Sequence, residues 1–77
     1  MKFDWVLTGS DKNDLKCIIG EDMLRVERMD KGVWWFAVHI KGDERELMSG
    51  VWFPAQSTKE AAKMLSEAIY ILIKKSI

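Results

Sequence analysis

Residues 33–40 read V-W-W-F-A-V-H-I and hold two of the four tryptophans and the single histidine of a 77-residue chain. A strand sends successive side chains to opposite faces. Trp34, Phe36, Val38 and Ile40 then point one way, and Val33, Trp35, Ala37 and His39 the other. Both faces are apolar, which predicts a central strand. Whichever face is covered, one tryptophan of the pair lies on the opposite side.

The flanking sequence supplies partners for that strand. Phe3, Trp5 and Leu7 alternate with Lys2, Asp4 and Val6, the period of a half-buried strand. Residues 8–14 (T-G-S-D-K-N-D) are rich in turn formers and read as a surface loop. Leu15, Cys17 and Ile19 share a face of a second strand, and Gly20-Glu21-Asp22 is short enough for a hairpin turn. A third strand carries Leu24 and Val26 on one face, with Met23, Arg25, Glu27 and Met29 on the other. Asp30-Lys31-Gly32 suits a three-residue hairpin loop, because Gly32 can adopt the left-handed conformation such loops need. Beyond the turn at residues 41–44, a fifth strand carries Leu47, Val51 and Phe53 opposite Met48 and Trp52. Gly50 marks a bulge within it and Pro54 ends it.

Strands are thus predicted over 3–7, 15–19, 23–29, 33–40 and 45–53, with a helix over 58–75. Residues 57–60 (S-T-K-E) match a capping box, with Ser57 as cap and Glu60 reaching back. Ala61, Leu65, Ala68, Ile69 and Leu72 form the expected core stripe. Lys59, Lys63, Glu67, Tyr70 and Lys74 lie opposite, with Lys63 and Glu67 as an exposed i,i+4 pair. The expected fold class is α+β: an antiparallel β-meander of four to five strands with one C-terminal α-helix packed on a face (βββββα), in a single domain.

Composition narrows the function classes. Twelve basic residues balance twelve acidic ones, without the basic excess that phosphate-binding chains carry. Cys17 is the only cysteine, so no internal disulfide forms, and a lone thiol suits a reducing compartment. Cys17 and His39 supply two of the roughly four ligands a structural zinc takes. No signal segment is legible, and the longest apolar run, residues 69–73, is far below the roughly 20 residues that span a bilayer. A soluble, cytoplasmic chain without metal or cofactor is expected.

One helix covers one sheet face, so a solvated monomer should keep the other face polar. Here the second face gathers Met23, Met29, Trp35, Met48 and Trp52, interleaved with Arg25, Glu27 and His39. Tryptophan, methionine and arginine are enriched at binding hot spots and adaptable surfaces. Either this is a binding face, or the sheet coils into a small barrel, or the loop at 8–14 and the first strand fold over it. The helix also carries surplus apolar residues. Adding Ala62, Met64, Ile71 and Ile73 widens its apolar arc to about 200°, against a usual stripe of a little over 100°. Self-association as a homodimer through Met64, Ile71 and Ile73 is the expectation, and it would also relieve the small core of so short a chain.

His39 is the natural acid–base candidate and Cys17 the natural nucleophile. Neither has a sequence signal for the orienting group or oxyanion hole that catalysis requires. The acidic residues near turns (Asp11, Asp14, Asp43, Glu44, Glu46) match no metal-loop spacing, and no P-loop or dinucleotide fingerprint is present. An enzyme is not expected.

In the order of its elements the chain resembles the single-strand-binding transcriptional coactivator fold, a four-stranded meander followed by one helix that dimerises. The resemblance is one of element order: no motif is shared, an additional N-terminal strand precedes the meander, and no site residue follows from it. The leading expectation is a non-catalytic interaction module that binds another protein through Trp35, Trp52, Met23, Met29, Met48, Arg25 and His39. Phage and mobile-element accessory or inhibitor proteins are of this kind. The alternatives are a single-stranded nucleic-acid binder using the same aromatic face, with Arg25, Arg28, Lys31, Lys41 and Arg45, and a subunit completed by a partner chain.

Overall fold

In the computed structural model, which describes residues 2–8, 14–42, 47–48 and 54–76, each alternating run pairs with its neighbour in the chain. Five strands, β1 (Trp5–Thr8), β2 (Asp14–Ile19), β3 (Asp22–Asp30), β4 (Val33–His39) and β5 (Leu47–Met48), precede the helix α1 (Lys59–Ser76). The sheet runs β1-β2-β3-β4-β5 in chain order with every pair antiparallel, and α1 packs across β3 and β4. This is the α+β meander with a C-terminal helix that the sequence predicts. Of the strand expected over 45–53, β5 is the described part, and Gly50 and Trp52 lie outside the described residues. No described helix is long and apolar enough to cross a membrane.

Register decides which side chains meet. Trp5, Cys17, Leu24 and Val38 form one cross-strand row, and Leu7, Leu15, Val26 and Phe36 the next. Residues directly opposite in such rows share a face. Cys17, Leu24, Val26, Phe36 and Val38 are fully buried there, against Ala62, Ile69 and Tyr70 of α1. Each large apolar side chain so buried stabilises the fold by about 1.5–3 kcal/mol relative to exposure. The rows outrun the helix at the β1 edge, where Leu7 stays 55% exposed.

The helix is turned from its expected orientation. Ala62, Ser66, Ile69 and Tyr70 are its buried residues, with Leu65 and Ile73 packed at the margin. Ala68 and Leu72, expected in the core stripe, face outward, with Leu72 65% exposed. At about 100° per residue, the buried stripe is rotated by about one residue. The cause is polar satisfaction. The Ser66 hydroxyl donates to the Lys63 carbonyl (2.8 Å) and the Tyr70 hydroxyl donates to Asp22 (2.7 Å), so both can be buried. The cap also moves by one residue. Thr58 Oγ1 accepts from the Ala61 N–H (3.1 Å), so Thr58 caps the helix where Ser57 was expected. Glu67 accepts from the Trp5 indole N–H (2.7 Å), tying the helix to the edge strand. Lys63 pairs with Glu60 (3.8 Å) and lies 5.8 Å from the Trp5 ring centre.

Both hairpin turns are tighter than expected. Ile19 pairs with Asp22, so Asp22 opens β3 and does not belong to the turn. Asp30 pairs with Val33, leaving Lys31 and Gly32 between them, and the register shifts between Arg28 and Asp30. Gly32 takes φ 69°, the conformation that makes glycine the fitting residue there.

Candidate interaction face

With α1 on the Trp34–Phe36–Val38 side, Trp35 falls on the face the helix does not cover. The register assembles that face from β1 to β5. One row runs Asp14, Glu27, Trp35; the next Val6, Lys16, Arg25, Ala37, Met48; the third Ile18, Met23, His39. Met23, Arg25, Trp35 and His39 are thus brought together, each half-buried. Met48 occupies its row by backbone pairing with Ala37, and Trp52 lies outside the described residues. Met29 sits at the register shift in the β3–β4 hairpin, exposed at the end of the face.

Arg25 organises the centre. Its guanidinium lies 5.6 Å from the Trp35 ring centre and donates to Glu27, its neighbour two residues along the same face. Stacking and ion pairing together hold the arginine against the ring, and a cation–π contact at an exposed site is worth about 0.5–1 kcal/mol. The small Ala37, opposite Arg25, is fully buried although it lies on the open face. Val6 (49% exposed) and Ile18 (55%) extend the face toward the β1 edge. Neither was among the residues that the sequence placed on this face.

His39 and Cys17 lie on opposite faces of the sheet, since Cys17 shares the row of Leu24 and Val38 while His39 pairs with Met23. These two candidates therefore do not meet as a dyad. Burial pushes the Cys17 thiol above its ordinary pKa, which disfavours the nucleophilic thiolate. The His39 Nε2 atom is shut off from solvent. Among the described residues, no three His, Cys, Asp or Glu side chains are grouped to hold a metal ion.

A second polar centre was not legible from the sequence. Asp22 is 7% exposed and accepts three bonds, from the Lys41 N–H (3.0 Å), the Tyr70 hydroxyl (2.7 Å) and Lys74 (3.2 Å). Burial alone would raise its pKa, but those donors outweigh it and hold the carboxyl below its ordinary value. Burial and the bond to Asp22 push Tyr70 up to about 12. Glu21 and Lys41 pair beside it (2.8 Å) at the rim of a shallow surface depression. Both lysines there are matched by carboxylates, so the cluster acts as a lock between β3, the β4–β5 turn and the end of α1.

On the helix, Met64 is 69% exposed, Ile71 is half-buried, and Ile73 packs against the core cluster. No protein-family model, curated protein or solved structure matches this chain.

Proposed function

We propose that this protein is a non-catalytic interaction module that recognises another protein through its open sheet face, centred on Trp35. The observation that carries this reading is the position of Trp35: it lies on the face opposite the helix, with Arg25 stacked on its ring. Met23 and His39 lie two rows along the same face and Val6 and Ile18 extend it, so apolar side chains alternate there with Asp14, Lys16 and the Arg25–Glu27 pair. Such a surface resembles the buried-anchor, polar-rim layout of protein interfaces. An accessory or inhibitor role, of the kind phage and mobile elements encode, is the setting we propose for it.

The charge pattern favours a protein over a nucleic acid as partner. Arg25 is already matched by Glu27, and Lys41 by Glu21. Asp14 and Glu27 share the row of Trp35, where a phosphate backbone would meet two carboxylates.

The test is affinity capture from the native host with wild type and Trp35→Ala, with circular dichroism as a fold control. Truncating a central tryptophan should cost about 2 kcal/mol or more, about thirty-fold in Kd. Capture that survives in Trp35→Ala sinks the reading. Binding to single-stranded oligonucleotides that Trp35→Ala abolishes, and that falls steeply with salt, would replace the protein partner with a nucleic acid.

A further inference from the structure

The two edges of the sheet differ among the described residues. The outer side of β4 is closed by β5 at Ala37 and Val38, and by Gln56, which exchanges backbone bonds with Trp34 in both directions (2.7 and 2.9 Å). β1 is the last strand at the other edge, and no described residue pairs with its outer side. An open edge presents a row of N–H and C=O groups whose complement is another strand. Edges are blunted by shortness, charges, proline or a bulge; β1 is short, at four residues, but reads W-V-L-T with no charge, proline or bulge. Val6 and Leu7 remain 49% and 55% exposed on opposite faces of the sheet at this edge. Trp5 beside them is held by its bond to Glu67.

We propose that the β1 edge is the seam of a symmetric homodimer, in which β1 pairs antiparallel with β1 of a second copy about a two-fold axis at Val6. The strand is complementary to itself only in that register. Opposed residues must share a face, so odd positions meet odd and even meet even. Centred on Val6, Trp5 faces Leu7 of the second copy and Val6 faces Val6, so every apolar side chain of β1 meets an apolar one. Leu7, which its own helix leaves uncovered, gains Trp5 of the second copy as its neighbour. A seam centred on Asp4 would oppose two carboxylates, and one centred on Leu7 would set Val6 against Thr8. The pairing continues the sheet across the two-fold and leaves the Trp35 centre accessible, sharing with the binding face above only its margin at Val6. A four-residue seam is at the low end of interface sizes, so the dimer is weak and concentration-dependent.

Sedimentation of the full chain over a concentration series reads the change from 8.9 kDa toward twice that mass. Val6→Lys places like charges opposite each other and is expected to weaken the dimer about ten-fold or more. Met64→Glu and Leu72→Glu on the helix should leave the dimer intact, as should Trp35→Ala. Should Val6→Lys fail to fold, cysteine cross-linking decides. Val6→Cys sets two thiols opposite each other, with Cβ atoms about 4.5–5.5 Å apart. Under mild oxidation it should form a linked dimer faster than Leu7→Cys, whose opposite residue is Trp5 and whose own counterpart lies diagonally, about 7–8 Å away. A monomer at every concentration, equal cross-linking of the two variants, or a dimer lost in the helix variants but kept in Val6→Lys overturns the proposal.

Discussion

Asp22 and Tyr70 show how one buried pair can set the pH limits of a small fold. Asp22 is held below its ordinary 3.8, so its contribution is complete above that value and is lost as pH falls through the lowered one. Tyr70 is raised from 10.0 to about 12, so its contribution is complete below pH 10 and is lost as pH rises toward 12. The chain has one tyrosine, so phenolate absorbance reports this residue alone and should appear near pH 12. An ordinary titration near 10 would show that the pair is not formed. Tyr70→Phe removes a hydrogen bond to an ionised carboxylate and should cost about 1.5–3 kcal/mol at neutral pH, read by urea denaturation. Neither residue stands out in the sequence: Asp22 falls in an apparent turn, and Tyr70 among lysines on an apparent polar face. Their partnership spans 48 positions, a separation that no local period carries.

At the scale of the element, the rotation of α1 can be tested by paired substitutions. Ile69→Ala, at a buried position, should cost about 2–5 kcal/mol, while Leu72→Ala, 65% exposed, should stay within about 0.5 kcal/mol. Equal losses would restore the orientation expected from apolar periodicity alone. The cap is tested in the same way: Thr58→Ala should cost about 1 kcal/mol and Ser57→Ala almost nothing. Helix existence and length were legible because a capping motif and a long 3.6-residue period are local signals. Its azimuth was not, because Ser66 and Tyr70 count as polar until their hydroxyls find Lys63 and Asp22. For the strands, period and turn residues carried the order and type of elements. The β3–β4 register shift left no sequence mark beyond Gly32 nearby.

For the whole molecule, the core cluster among the described residues lies on one side of the sheet, beneath α1, in a chain whose single cysteine allows no internal disulfide. Chains of this length bury only about 60% of their unfolded surface, so self-sufficiency is a real question. The radius of gyration is 11.8 Å, close to the roughly 11.5 Å of a compact chain of this length. The purified chain should therefore melt cooperatively by itself, with coincident transitions in circular dichroism and tryptophan fluorescence. A broad, non-cooperative melt would mean that a partner chain completes the core. The candidate binding face belongs to this scale as well. It exists because one helix covers one face of the sheet, leaving Trp35 opposite its neighbour Trp34.

The sequence by itself determined the meander, the terminal helix and the two-sidedness of the tryptophan strand, since alternation, turn chemistry and capping act within a few residues. It also determined that one tryptophan of the pair would lie away from the core. Only the tertiary structure decided that this is Trp35, that Arg25 lies over it, that Cys17 and His39 are kept apart, and that β1 is the edge strand among the described residues. Those outcomes depend on which sheet face the helix takes and on which buried polar atoms meet, choices made by residues far apart in the chain.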